Sequence, residues 1–185
     1  MYAAGALEVS AAQFISNAAQ FGGGLYHGYS TARVVNSLFA RNAALAGDGL
    51  ALYLGSPGSV EIIHTTIAAP IAQSGSAIGV AAGDVSITDT LIASHTIGIS
   101  RTGATGSARE AFNLFSANTA NLNGSIVSGG GSITATPGFV NASARNYRIG
   151  PASPARDAGT LTTVLFDFEG DPRVQPDIGY DEYVV

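Results

Sequence analysis

Four octapeptides, Leu7-Glu-Val-Ser-Ala-Ala-Gln-Phe14, Ala32-Arg-Val-Val-Asn-Ser-Leu-Phe39, Val60-Glu-Ile-Ile-His-Thr-Thr-Ile67 and Val85-Ser-Ile-Thr-Asp-Thr-Leu-Ile92, superimpose without a gap at steps of 25, 28 and 25 residues. A fifth, shorter copy, Ala111-Phe-Asn-Leu-Phe115, ends 23 residues after the fourth. In each full copy apolar residues at the first and third positions flank a polar or small one, the alternation of a strand that buries one face. Leu7 and Val9, Ala32 and Val34, Val60 and Ile62, and Val85 and Ile87 are therefore expected to point inward. A period that is tight in the strands and loose in the loops is solenoid behaviour.

Working outward, a Gly-rich corner follows each copy, and then a second short strand: Gly24-Leu-Tyr-His27, Gly49-Leu-Ala-Leu52, Ala77-Ile-Gly-Val80 and Thr96-Ile-Gly-Ile99. A unit of 23 to 28 residues with two or three short strands and no helical period cannot bury its apolar face alone. The expected fold is all-β, a right-handed parallel β-helix of about five coils stacked about 4.8 Å apart. Leucine-rich repeats share the period but need a leucine consensus that is missing here. Residues 1–125 read as coils and 126–185 as a last partial coil with a carboxy-terminal cap, all in one domain. The chain begins inside a coil without a secretory leader, which leads us to expect a truncated solenoid that self-associates through its open amino-terminal coil.

Composition narrows the function classes. Of 185 residues only 11% are charged, with eight Arg, no Lys and 13 carboxylates, for a net charge of -5. Nucleic acid is excluded as a partner on that balance. The absence of Cys removes disulfides and Cys-ligated metals, and the absence of Lys removes every lysine-dependent mechanism. No apolar run approaches the roughly 18 residues that span a bilayer as a helix. Seven of the 13 carboxylates fall between Asp157 and Glu182, in a Pro-rich tail suited to closing a solenoid.

At this point the residues resemble known proteins. The coils are similar to the parallel β-helix repeats of the pectate-lyase-like superfamily. The tail resembles the carboxy-terminal region of bacterial choice-of-anchor Q domain proteins, in Phe139-Val-Asn, Tyr147-Arg-Ile, Ser153-Pro-Ala-x-Asp-Ala-Gly159, Asp167-x-x-Gly-x-x-Arg173 and Pro176-Asp-Ile-Gly-x-Asp-Glu182. Arg156 and Tyr180 depart from the pattern, in which an apolar and a small residue are usual. The resemblance implies an extracellular or cell-surface bacterial protein, either a non-catalytic stalk or glycan-contacting module or a polysaccharide lyase or hydrolase. The Asp-Asp pair, Gly-His-Gly and Arg-x-Lys of polygalacturonase-like enzymes are missing, and no three coil carboxylates share a column as a calcium-dependent lyase needs. These absences favour the non-catalytic reading.

Stacking turns sequence spacing into neighbours, so equivalent positions form columns. Glu8, Arg33, Glu61 and Ser86 form one, read as a solvated charge ladder in preference to a catalytic pair that would include Glu61. Ala11, Asn36, His64 and Asp89 form the next. There an imidazole beside a carboxylate could act as a general base, although Asn, His and Asp also suit a hydrogen-bonded ladder, which is the favoured reading. Tyr26, Tyr29 and Tyr53 lie on or near the second strand column and offer flat faces for sugar rings, a reading that leans on the family resemblance. Asp167, Glu169 and Asp171 flank Gly170 in a spacing faintly like a calcium loop; a salt-bridged turn is the favoured alternative. Asp157, Asp167, Arg173, Asp177 and Glu182 are expected to form a tail network in which Arg173 pairs with Asp167 or Asp177.

Overall fold

A computed structural model of the chain describes residues 1–55 and 58–184. The strands stack as a parallel β-solenoid of about five turns. One sheet runs through Leu7–Ser10, Ala32–Val35, Ser59–Ile63, Asp84–Thr88, Ala108–Ala111 and Val127–Ser128. A second begins with Gln13–Ile15 and Leu38–Ala40 and continues into the long strands Thr66–Val80 and Leu91–Arg101, then Leu114–Ser116 and Ile133–Thr134. Those long strands turn a corner and also carry the third face, pairing with Leu52–Leu54 and Ala120–Asn123. Every pairing between coils is parallel, and the expected columns are in register: Leu7 with Ala32, Ala32 with Val60, Val60 with Val85.

The inward columns build one core. Val9, Val34, Phe39, Ile62, Ile67, Ile87 and Ile92 belong to it, and Phe14 packs against it with its ring stacked on that of Phe39 at 4.6 Å. In the fifth coil the register puts Glu110 opposite Ile87. Its buried carboxylate accepts hydrogen bonds from Asn113 Nδ2 at 3.0 Å and Ser132 Oγ at 2.5 Å, so the apolar column ends in a satisfied polar group.

Two third-face boundaries differ from the sequence reading. Leu25 pairs with Leu52, Leu52 with Ile78 and Ile78 with Ile99. The second and fourth copies therefore start two residues later than the composition of the corner suggests. In the second copy the cause is a left-handed glycine three residues before the strand, Gly49 at φ 61°, the counterpart of Gly22 at φ 57° in the first. A Cβ at either would sit within 2.4 Å of a main-chain oxygen, that of Leu25 or Leu52, so these glycines set the phase of the strand beyond them.

The first two sheets meet at a corner made by a single left-handed residue in each coil: Ala11, Asn36, His64, Asp89 and Phe112, at φ 45° to 53°. Asn, Asp and His enter this region more readily than most residues. The next residue in the later coils turns inward, and Ser37, Thr65, Thr90 and Asn113 are fully buried. The first three return a hydroxyl bond to the carbonyl two residues back, and Asn113 donates to Ile87 O at 3.0 Å in the coil below. A second corner repeats the device, with Ser16, Arg41, Ser94 and Ala117 left-handed. There the amides of Asn42 and Asn118 bond main-chain groups of neighbouring coils.

The tail, expected as a cap, follows the last coil strand Ile133–Thr134. It runs back along the flank. A hairpin of Phe139–Asn141 and Asn146–Ile149 is followed by turns, and the segment from Gly159 to Glu182 then crosses three coils, touching Arg33 and Asn36, His64 and Thr66, and Asp89. The reason is a second apolar cluster: the outward-facing Leu38, Ala68, Leu91 and Leu114 are covered by Tyr147, Ile149, Ala155, Ile178 and Tyr180. A sheet with apolar residues on both faces needs cover on both. Arg156 and Tyr180 fit locally: the guanidinium of Arg156 lies over the Tyr183 ring, and Tyr180 packs edge-on against Phe168.

Phe39→Ala in the second coil should lower the unfolding free energy by about 3 to 5 kcal/mol. Denaturant titration that returns a loss below about 1 kcal/mol would show that the Phe column does not carry the core.

Candidate functional site

The corner column points out of the coil, and the tail closes over it. Asn36 Nδ2 donates to Phe166 O at 2.6 Å and Asn36 Oδ1 accepts from Arg173 at 3.0 Å. His64 Nε2 meets Thr162 Oγ1 at 3.2 Å. Asp89 Oδ1 accepts the Thr160 N–H at 2.9 Å, while its carbonyl accepts the Gly179 N–H. His64 Nε2 and Asp89 Oδ2 are 3.6 Å apart, and both side chains are 0% exposed. The pair that sequence spacing brings together is thus adjacent in space and sealed from solvent.

Burial decides its charge. It pushes the Asp89 carboxyl up to about 7, against the pull of the Thr160 N–H and the Arg173 guanidinium. It pushes the His64 imidazole down to about 3, aided by the charge of Arg173. Near neutrality the imidazole is uncharged and the carboxyl has lost most of its preference for ionisation. A general base must reach the proton it removes, and here the hydrogen-bonding groups of the pair already engage Thr160, Thr162 and Gly179 of the tail. Glu61 is elsewhere, on the outer face of the first sheet, where Arg33 bridges it at 3.3 Å and Glu8 at 3.2 Å. The charge ladder is present as expected.

In the tail the carboxylates fold back onto the main chain. Asp167 Oδ1 accepts three N–H groups, of Glu169, Gly170 and Asp171, each at 2.8 Å, and its Oδ2 accepts that of Glu182 at 2.8 Å. Asp177 accepts the N–H groups of Asp157 and Tyr183, both at 2.7 Å. Arg173, whose side chain is 0% exposed, pairs with Glu182 and also donates to the carbonyls of Asp177 and Gly179. The expected carboxylate partners, Asp167 and Asp177, are occupied by N–H donors, and Arg173 takes Glu182 instead. Burial pushes Glu182 up to about 7 and Asp181 up to about 6, and raises Asp177. Glu169 turns away to pair with Arg148. Among the described residues no group of three or more His, Asp or Glu side chains could hold a metal ion. With its lone pairs committed to N–H donors, Asp167 closes a turn.

The tyrosines are arranged otherwise than expected. Tyr26 pairs in register with Tyr53, and the sequence reading missed Tyr2, which pairs with Tyr26. The three rings follow one another at 5.3 and 5.4 Å, Tyr2 tilted against Tyr26 and Tyr26 stacked on Tyr53, with Phe21 tilted 4.9 Å from Tyr53. Tyr26 and Tyr53, each with a ring on either side, are half-buried, and Tyr2 at the end of the row is the most exposed of the three, at 65%. Tyr29 is exposed but belongs to no aromatic pair among the described residues.

Fold and site together define a parallel β-solenoid whose carboxy-terminal segment seals a buried polar seam on its flank. No family model, no curated protein and no solved structure matches the chain.

Arg173→Ala should cost about 2 to 4 kcal/mol, because it leaves Glu182 buried and unpaired. Arg173→Lys should recover little, since an ammonium cannot serve Glu182, Asn36 and two carbonyls in fixed directions. Faster proteolysis after Gly159 in both variants is the expected readout, and wild-type resistance in both would show that Arg173 holds nothing.

Proposed function

We propose that the chain is a non-catalytic β-helix segment of an exported bacterial surface protein, serving as a rigid stalk or glycan-contacting module. The tail motifs support the choice-of-anchor Q resemblance, and the coil repeats support a pectate-lyase-like origin. The observation that carries the non-catalytic reading is the seal: the only imidazole–carboxylate pair within 4 Å among the described residues, His64 with Asp89, is buried beneath the tail. Glycan contact, where it occurs, falls to the Tyr2, Tyr26 and Tyr53 row, since tyrosine carries an apolar body with a polar tip.

Purified protein incubated with a panel of acidic and neutral polysaccharides should leave every one at its starting length. Retention on one immobilised polysaccharide, weakened several-fold in Tyr26→Ala and unchanged in Tyr29→Ala, is the expected sign of glycan contact. Depolymerisation that disappears in His64→Ala would establish the lyase or hydrolase reading instead.

The strand Leu7–Ser10 lies at the edge of the first sheet, and an open strand edge invites pairing with a second copy. Light scattering should show a species larger than 18.6 kDa that shrinks in Leu7→Asp; a mass equal to the monomer at all concentrations would remove self-association from the proposal.

A further inference from the structure

On the third face Tyr2, Tyr26 and Tyr53 form one column, followed in register by Gly79. The sequence neighbours of the inner two, Leu25 and His27, and Leu52 and Leu54, are buried, so the tyrosines stand on the outer side of the strands. Glycines make room for them. A Cβ at Gly55 would sit 2.6 Å from Tyr26 Oη, and one at Gly79 would sit 2.9 Å from Tyr53 Cδ2. Each ring thus lies across the main chain of the next coil, held there by its neighbours at 5.3 and 5.4 Å.

Among the described residues no hydrogen bond occupies the three hydroxyls, and those of Tyr26 and Tyr53 keep contact with solvent. A phenol hydroxyl both donates and accepts. The row is therefore a ladder of free donor–acceptor groups, one per coil, on rings whose freedom is already spent before a ligand arrives. Its step of 5.3 and 5.4 Å is close to the advance per sugar of an extended pyranose chain joined through equatorial 1,4 bonds. An axial linkage instead coils the chain and carries its hydroxyls out of step. The fixed charge acting on Tyr53 is the Asp48 carboxylate, which repels an acidic sugar.

Building on the glycan-contact reading, we propose that Tyr2, Tyr26 and Tyr53 bind a neutral, extended β-1,4-linked glycan laid along the solenoid axis, one sugar to each tyrosine. The glycines that follow the strands act as positioning residues, since they let each ring lie down.

Titration calorimetry of the full chain tests this with cellohexaose, chitohexaose and mannohexaose, all neutral and β-1,4-linked, and with maltohexaose and hexagalacturonate. At least one of the first three should bind about tenfold or more tightly than either of the last two. Within that series affinity should rise from the disaccharide to the trisaccharide and change little beyond. Tyr26→Phe keeps the ring and removes one hydroxyl; it should weaken binding about three- to tenfold, the net worth of one hydrogen bond. Tyr29→Phe should leave binding unchanged. Equal or tighter binding of maltohexaose or hexagalacturonate, weakened by Tyr26→Phe, would overturn the β-1,4 assignment and leave glycan contact at the row standing. Binding undiminished in both Tyr26→Phe and Tyr26→Ala would remove the site from the row. Failure of all five sugars to bind would overturn the site, and failure of every polysaccharide in the retention panel as well would take the glycan-contact reading with it.

Discussion

Everything in this protein depends on one left-handed residue at each first corner. It turns the chain from one sheet into the next at the same point of every coil, which keeps the inward columns in register. It also divides its surroundings. The adjacent residue is swung inward, where Ser37, Thr65 and Thr90 satisfy the corner carbonyls, while its own side chain is thrown outward onto the flank. The polar side chains that receive the tail are therefore a by-product of turning the corner.

That origin explains why Asn36, His64 and Asp89 occur together. Each is a residue type that tolerates positive φ. The same conformational demand that selects them places an imidazole over a carboxylate, an arrangement that reads in sequence like a catalytic dyad. The tail supplies main-chain and hydroxyl groups to Asn36, His64 and Asp89, and a guanidinium to Asn36. Burial holds the imidazole neutral and leaves the carboxyl near its own midpoint at pH 7, and the tail encloses both.

The coils were legible from sequence because stacking forces like on like: Val60, Ile62 and Ile67 recur as Val85, Ile87 and Ile92. The third face was legible only to within two residues, since its phase is set by backbone conformation at Gly22 and Gly49, which composition does not reveal. The path of the tail was hidden for a different reason. Its target is the outward side of Leu38, Ala68, Leu91 and Leu114, and a strand that is apolar on both faces cannot say from sequence which side the rest of the chain will cover. The partner of Arg173 was missed because Asp167 and Asp177 look like free acids in sequence and are consumed by N–H donors in space.

A stack of equivalent coils has no internal means of counting itself. Any coil whose exposed end repeats the pattern beneath it can nucleate another, whether from the same chain or a different one. Glu110 breaks that arithmetic by standing where the column calls for isoleucine. It is already served by Asn113 and Ser132, and so presents the next layer with nothing apolar to match. The layer above answers it in kind, with Ser128 standing opposite Glu110 in the short strand Val127–Ser128 and Ser132 donating to the carboxylate.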